Sequence, residues 1–179
     1  MTDQLTEILR RSRNTRFFTA DPVPDAALNG ILEIARWTGS ARNLQPWQFV
    51  IVDDRETLAA IAASSPSLSW LAGAPLAIVL VMDGVTPEIE AFDEGRLAER
   101  IFAAARAYGL EAGIGWFLPG APRDTARRIL DVPEGQEVRT VIAIGHPDPA
   151  PPPSPYPIAQ PRKPLSDLVH RNRFGNRAS

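Results

Sequence analysis

The sequence at residues 43–52 is NLQPWQFVIV, in which a polar turn passes through a proline into an unbroken apolar run. Valine and isoleucine dominate the end of this run, which is typical of a strand that is buried on both faces of a sheet. The residues before it, 38–43, carry small, hydroxyl and amide side chains and predict a turn. The segment would therefore bring hydrogen-bonding groups to the edge of a buried sheet, where small-molecule sites commonly form.

Length and composition indicate one ordinary globular domain that spans residues 1–179. A chain of 179 residues buries about 70% of its unfolded surface, and 44% hydrophobic with 22% charged residues is typical of a folded protein. The absence of cysteine excludes disulfides and thiolate nucleophiles. The N-terminus lacks the apolar core of a signal peptide, and the longest apolar run, 74–82, is too short to span a bilayer. We therefore expect a cytoplasmic protein.

Charge is distributed unevenly along the chain. Residues 1–16 hold four Arg against two acidic side chains, and residues 160–179 hold five Lys or Arg against one. The segment between them carries a formal charge of −8. Because the termini of a domain often lie close together, we expect the two basic ends to meet and form a cationic pocket.

The first basic segment, residues 10–18, has the sequence RRSRNTRFF. Four Arg within seven residues, mixed with hydroxyl and amide side chains, can bind a phosphate monoester through charge-assisted hydrogen bonds. The alternative is a solvated helix end, at which Arg side chains approach the last carbonyl groups. Phe17 and Phe18 predict that the segment packs against the core, which argues against a free basic tail for nucleic acid.

Hydrophobic periodicity predicts a mixture of helices and strands. The expected helices are 3–11, 25–37, 55–63, 96–108, 123–130 and the short 165–170. The expected strands lie within 43–52 and at 75–82, 112–118 and 138–144, the second of them central. Residues 83–95 are interpreted as acidic and irregular, with a solvated face formed by Glu88, Glu90, Asp93 and Glu94. Half of the eighteen prolines fall in 147–164, which predicts an extended connector, either a free linker or, as we prefer, one that returns a basic C-terminal arm to a site.

Recognisable sets of catalytic side chains are absent from the sequence. Zinc-protease, P-loop, nucleophile-elbow and dinucleotide-binding motifs do not occur, and Gly113-Ile114-Gly115 falls inside an expected strand. His146 and His170 are interpreted as structural, and Asp53-Asp54 as a strand-end turn rather than a metal pair. If the protein is an enzyme, a cofactor must therefore perform the difficult step.

Several segments, in order along the chain, resemble the FMN-dependent nitroreductase family. Residues 13–18, followed by Pro22-Val23, are similar to the R-R-S-x-R-x-F…P-V opening of that family. Residues 38–47, TGSARNLQPW, are similar to its A-P-S-x-x-N-x-Q-P-W segment. Later landmarks are matched in the same order at Gly109-Leu110, 144–147 and 162–165.

The resemblance implies an α+β sandwich with a mainly antiparallel central sheet flanked by helices, assembled as an intertwined homodimer. It also implies FMN at the subunit interface, NADH or NADPH as the reductant, and no metal. An electron-poor acceptor, such as a nitroaromatic compound or a quinone, would be reduced in a ping-pong reaction that passes hydride through flavin N5. No side chain is implied as catalytic, and neither nucleic acid nor a membrane is an expected partner.

By position, the resemblance places the FMN phosphate and ribityl chain at the two basic ends of the chain. Residues 39–43 would approach the flavin from the partner subunit. The loop at 119–120 would face the ring, with the Gly120 backbone amide near N5. The implied cofactor-binding residues are Ser12, Arg13, Asn14, Arg16, Gly39, Ser40, Ala41, Asn43, Pro119, Gly120, Arg162 and Lys163.

The chain departs from the family pattern at several points. Ser12 stands where the first Arg of the opening motif is usual, Asn14 replaces a serine, and Gly39 replaces a proline. The chain is also short where larger members carry added helices over the substrate site. Alternatives that keep the flavin therefore remain: dehalogenation, flavin fragmentation, deazaflavin-linked reduction, or flavin binding without catalysis.

Overall fold

The computed structural model describes residues 2–153 and 161–177. Within them the helices are α1 Thr2–Arg11, α2 Asp25–Arg36, α3 Arg55–Ala63, α4 Pro87–Ala107 and α5 Ala121–Ile129. The strands are β1 Trp47–Val52, β2 Leu76–Met82, β3 Glu111–Trp116 and β4 Glu137–Gly145. Short 3-10 helices lie at Ala41–Asn43, Pro66–Gly73 and Leu165–Asp167. None of these helices is long and apolar enough to cross a membrane.

The four strands form one antiparallel sheet in the order β1-β2-β4-β3. β2 is central, as expected, and every one of its residues is buried. Because successive side chains of a strand point to opposite faces, a strand of this kind needs cover on both sides.

Helices cover both faces of the sheet. On one face, α2 and α4 pack against Ile78 and Leu80 of β2. On the other face, α3, the 3-10 helix Pro66–Gly73 and α5 pack against Ala77 and Val79 of the same strand. The expected α+β sandwich with an antiparallel sheet is therefore confirmed.

β1 is an edge strand, and the expectation that it is buried on both faces is wrong. Only Trp47 and Val52 of β1 are buried, and its other residues are exposed or half-buried. The strand has a single neighbour, β2. An apolar run reports the character of the side chains, but not how many strands or helices lie beside them.

The acidic segment 83–95 is also different from the expectation. α4 begins at Pro87, in the first helical turn, where the missing N–H of proline removes no intrahelical bond. Glu90, Asp93 and Glu94 are buried, and each is hydrogen-bonded to a backbone N–H or to an arginine. The interpretation of these three carboxylates as a solvated face is wrong, because each is buried against a partner: the Gly84 N–H for Glu90, the Ala41 N–H for Asp93 and Arg139 for Glu94.

The C-terminal arm buries little of its own surface. Residues 154–160 of the predicted proline-rich connector lie outside the described residues, and the described parts on either side form no helix or ladder-paired strand before Leu165. Every residue from 161 to 169 is exposed. Leu165 and Phe174 are 74% and 94% exposed. The apolar side chains of the arm therefore lack a core within the described part of their own chain.

Candidate functional site

The first basic segment lies against the edge of β3. The Thr15 N–H donates to the Ala112 carbonyl at 2.9 Å, and the Ile114 N–H donates to Asn14 Oδ1 at 2.7 Å. Gly113 lies between these contacts, and a Cβ atom there would stand 1.8 Å from the Thr15 carbonyl oxygen. Only glycine permits this close approach of two backbones. Gly113 therefore admits the basic segment to the edge of the sheet.

The segment continues past the end of β4 and borders a cleft of about 370 Å³. The Asp148 N–H donates to the Phe17 carbonyl at 3.0 Å, and the Thr19 N–H donates to the His146 carbonyl at 2.9 Å. The cleft is lined by Asn14, Thr15, Arg16, Phe17, Pro147, Asp148, Pro151 and Pro152. It therefore joins the first basic segment to the start of the proline-rich connector.

The arginines of this segment divide between the helix end and the cleft. Arg13 is exposed, and its Nη1 donates to the carbonyl groups of Arg10 and Ser12, each at 2.7 Å. Arg11 forms an ion pair with a glutamate one turn earlier in α1. Arg11 and Arg13 thus follow the helix-end interpretation in this structure, whereas the half-buried Arg16 lines the cleft.

Trp70 lies at the same site and was not expected from the sequence. Its ring packs on the backbone of β3, where Cβ atoms at Gly113 and Gly115 would come within 3.1 and 3.4 Å of it. Together with Arg16 and Phe17 it lines a second cleft, of about 240 Å³. The two alternating glycines are the signal in the sequence, since they leave a flat strip of strand against which an aromatic ring can lie.

The loop formed by residues 39–45 has a strained backbone. Arg42, Asn43 and Gln45 have φ values of 52°, 57° and 52°. Residues other than glycine adopt this region at a cost, and such residues cluster in turns and at functional sites. The Gln45 N–H donates to Ser40 Oγ at 2.8 Å and so closes the loop. The polar residues of the family-like segment therefore stabilise a specific loop conformation before β1.

Two side chains of α4 contact the 39–45 loop. The Asp93 carboxylate accepts from the Ala41 N–H at 3.1 Å and pairs with Arg96 Nη1 at 3.4 Å. The Arg96 guanidinium lies beside Gly39, where a Cβ atom would stand 2.8 Å from Nη2. The glycine at a position where the family usually has proline thus leaves room for Arg96, a second residue not expected from the sequence.

The Pro119-Gly120 loop joins β3 to α5. Phe117 is fully buried, and its N–H donates to the Arg139 carbonyl at 2.8 Å, which anchors the start of the loop. Gly120 is exposed and has φ 88° and ψ −142°, a conformation that suits only glycine. It directly precedes α5, whose first backbone N–H groups have no partner within the helix and can bind a polar ligand.

The basic segment and the 39–45 loop lie in different clefts of the chain. The cleft at residues 14–17 and a smaller one beside Ala41, of about 200 Å³, share no lining residue. Arg162 and Lys163 are exposed and lie outside the described lining of the first cleft. The meeting of the two basic ends and the cofactor contacts of these residues therefore stay predictions.

Sequence comparison identifies related proteins. The profile of the nitroreductase family matches residues 9–68, a range that contains the basic segment and the 39–45 loop. A provisionally named NADH dehydrogenase/NAD(P)H nitroreductase of Methanothermobacter thermautotrophicus is 30% identical over 145 residues, covering 79% of this chain and 76% of that protein. A 5,6-dimethylbenzimidazole synthase of Rhodospirillum rubrum is 28% identical over 177 residues, covering 81% of this chain and 82% of that protein.

Structural comparison agrees with these relationships. The fold is similar to that of an FMN-dependent nitroreductase from Clostridium difficile R20291, with a TM-score of 0.79 and 26% identity. The match covers 93% of this chain and 98% of that one. Similarity of both sequence and fold over most of the chain identifies its relatives, and the chain belongs to the nitroreductase family.

Proposed function

We propose that this protein is an FMN-dependent oxidoreductase that uses NADH or NADPH to reduce nitroaromatic compounds, quinones or related electron-poor acceptors. The observation that carries the proposal is the seating of Asn14 and Thr15 on the edge of β3, which presents Arg16 to a cleft of about 370 Å³. Membership of the nitroreductase family and similarity to an FMN-dependent nitroreductase support the choice of cofactor.

The side chains around this cleft suit a phosphorylated flavin. Arg16 offers a cation for the phosphate, and Asn14 accepts from β3 through Oδ1 and can donate through Nδ2 to a hydroxyl. Phe17 and Trp70 offer aromatic surface beside the same cation. The proposed cofactor contacts are therefore the twelve residues implied by the family resemblance, with Trp70 added.

The chain supplies binding and orientation rather than an acid or base. When bound, FMN would supply hydride transfer through its N5 atom. The backbone N–H of the exposed Gly120, directly before α5, can donate to the flavin ring. A donor at that position would favour negative charge on the reduced ring.

We also propose a homodimer in which the partner completes each site. Residues 39–43 lie apart from the Arg16 cleft in the same chain, and β1 has an unpaired edge within the described sheet. Large apolar side chains are exposed on this single chain, and patches of that kind mark interaction surfaces. They include Trp37, Leu44, Phe92, Leu168 and Phe174.

Anaerobic titration of the purified protein tests the proposed activity. We expect the protein to bind FMN, the bound flavin to lose its visible absorption when NADH or NADPH is added, and a nitroaromatic compound or quinone to restore it. A protein that stays colourless with added FMN would contradict the proposal.

A pair of arginine variants tests the phosphate position. Loss of one charge-assisted hydrogen bond, worth about 1.5–3 kcal/mol, should make Arg16→Ala bind FMN about ten- to a hundredfold more weakly than wild type. Arg13→Ala is the comparison: Arg13 is also among the proposed contacts, but it donates to helix carbonyl groups, so we expect a smaller loss of binding than for Arg16→Ala. A larger loss for Arg13→Ala would place the phosphate at the end of α1 instead.

Oxygen-dependent fragmentation of the flavin is a second candidate function, favoured by the similarity to a 5,6-dimethylbenzimidazole synthase. Mass spectrometry of the reduced, FMN-loaded protein after exposure to oxygen separates the two. Steady turnover of an acceptor with intact FMN supports the oxidoreductase. Consumption of FMN with release of dimethylbenzimidazole supports fragmentation.

A further inference from the structure

Three buried carboxylates of α4 have no role in the proposed cofactor contacts. Glu90, Asp93 and Glu94 are 1%, 2% and 2% exposed. Burying a carboxylate is unfavourable unless it is paired or hydrogen-bonded. Each of the three bonds to a different segment of the chain, which indicates that they hold those segments in place.

Asp93 contacts the 39–45 loop next to its strained residues. Its carboxylate accepts from the Ala41 N–H at 3.1 Å, one residue before Arg42 with its φ of 52°. A buried charge-assisted hydrogen bond is comparable in strength to the strain of one residue in this region. Asp93 can therefore maintain a loop conformation that the backbone alone disfavours.

Glu94 contacts the Pro119-Gly120 loop indirectly, through Arg139. Glu94 Oε2 accepts from Arg139 Nε at 3.0 Å, and both side chains are buried. The carbonyl of Arg139 accepts from the Phe117 N–H at the start of the loop. Arg139 therefore links Glu94, through its side chain, to the start of the loop, through its backbone carbonyl.

The far end of the same loop is held by α5. Arg123, in the first turn of α5, donates through Nη1 to Glu137 Oε2 of β4 at 3.1 Å. Burial raises the pKa of the Glu94 carboxyl, and the positive charge of Arg123 is among the causes that lower it. Gly120 thus lies between two attachments to β4, one through Phe117 and one through Arg123.

We propose that Asp93 and Glu94 are positioning residues for the flavin site, Asp93 for the 39–45 loop and Glu94 for the Pro119-Gly120 loop. The inference rests on the proposed function, which places both loops against a flavin. Consecutive side chains of a helix point about 100° apart, so adjacent residues of α4 reach different segments. One rigid helix therefore sets the geometry of both loops.

Four variants separate positioning from general stability. Asp93→Ala removes the acceptor for the Ala41 N–H, and Asp93→Asn keeps an acceptor oxygen as the conservative rescue. Glu94→Leu combined with Arg139→Met removes the ion pair without leaving a buried charge unpaired. Glu88→Gln, exposed in the first turn of the same helix, is the matched control.

Amide hydrogen exchange of the full chain without added FMN measures each loop directly. Loss of one hydrogen bond corresponds to amide exchange that is about tenfold faster. We therefore expect tenfold faster exchange at residues 41–45 in Asp93→Ala. We expect the same change at residues 117–121 in the variant that combines Glu94→Leu with Arg139→Met. Asp93→Asn and Glu88→Gln should match wild type. Faster exchange spread evenly over the chain would overturn the proposal, since it indicates global destabilisation.

The wild-type protein provides a test that does not depend on variant folding. The Ala41 amide should exchange far more slowly than an exposed amide, because it donates to a buried carboxylate. Exchange of the Ala41 amide at the rate of an unstructured peptide would overturn the role given to Asp93.

Visible circular dichroism of added FMN connects the loops to the cofactor. The signal of the bound flavin should change in Asp93→Ala and in the paired variant, but not in Glu88→Gln or Asp93→Asn. Failure of the wild type to bind FMN would contradict the proposed function. If the wild type binds FMN and every variant matches Glu88→Gln in hydrogen exchange and in circular dichroism, the positioning role is wrong. The proposed function is not contradicted by that result.

Discussion

Gly113 and Gly120 must both be glycine, but for different physical reasons. A Cβ atom at Gly113 would overlap the Thr15 carbonyl at 1.8 Å, although the backbone of Gly113 itself suits any residue. Gly120 has open space around it, and its φ of 88° is what excludes other residues. A side chain at the first position would displace the basic segment, whereas a side chain at the second would strain the loop before α5.

Gly113→Ala tests the first of these reasons. Because the new Cβ meets backbone rather than a flexible side chain, we expect unfolding to become easier by about 1–3 kcal/mol and FMN binding to weaken. Gly95→Ala is the control, since a Cβ at Gly95 meets nothing within 4 Å. Because alanine favours a helix more than glycine does, this variant should raise the free energy of unfolding by up to about 1 kcal/mol. Urea unfolding measures both variants, and an equal change in the free energy of unfolding for Gly113→Ala and Gly95→Ala would contradict the close contact at Gly113.

Glu94 should make stability depend on pH. Burial raises the pKa of its carboxyl above the ordinary value of 4.5, while Thr140 and Arg139 act in the opposite direction. The native state then binds the proton more tightly than the unfolded chain. The stability from this group is therefore fully present below pH 4.5 and is lost as the pH rises through the raised pKa.

Urea unfolding at a series of pH values measures this effect. The free energy of unfolding of the wild type, relative to Glu94→Gln, should fall as the pH rises from below 4.5 towards neutrality. A difference that grows with pH instead would show that pairing with Arg139 outweighs burial and lowers the pKa of Glu94.

At the scale of elements, a boundary with a side-chain N-cap before the helix could be predicted, and one held by a side chain inside the helix could not. The predicted helix 55–63 matches α3, whose Asp54 accepts from the Thr57 N–H at 2.9 Å as an N-cap. The start of α4 was missed, because the turn before it depends on Glu90 inside the helix.

Glu90→Ala tests how α4 begins. The Glu90 carboxylate accepts from the N–H groups of Gly84, Val85 and Thr86 at 2.8 to 2.9 Å. Leaving such donors without an acceptor should lower the free energy of unfolding by about 2–3 kcal/mol, measured by urea unfolding. The exposed Glu88→Ala, on the same helix, should cost less than about 1 kcal/mol. Comparable losses would mean that the turn is held by other contacts.

At the scale of the whole molecule, the C-terminal arm is organised locally but buries little. The Arg171 N–H donates to the Asn176 carbonyl at 2.8 Å, and the rings of His170 and Phe174 lie 4.5 Å apart. These contacts stay within the arm, and its large apolar side chains remain exposed. We expect an arm with this character to gain stability from the partner subunit of the proposed dimer.

Truncation after Pro164 tests the proposed role of the arm in the dimer. We expect the shortened chain to keep its helix and strand content, because the arm covers little of the core, and to become monomeric at micromolar concentration. Light scattering and circular dichroism measure the two properties, and truncation after Arg177 is the control. A dimer that survives removal of residues 165–179 would contradict this role.

Turn residues, caps and apolar periodicity act over a few residues, and they were sufficient for the central β2 and most helices. The α+β class and the family came from the resemblance of several short segments. The resemblance at residues 38–47 also predicted a functional role for residues 39–43, which stays a prediction. The strained backbone of the 39–45 loop and its attachment to Asp93 became visible only in the folded chain. The decisive bonds join residues 52, 45 and 100 positions apart, namely Ala41 with Asp93, Glu94 with Arg139 and Asn14 with Ile114. Spacing along a sequence carries no information about such pairs, since only packing of the sheet and helices brings them together.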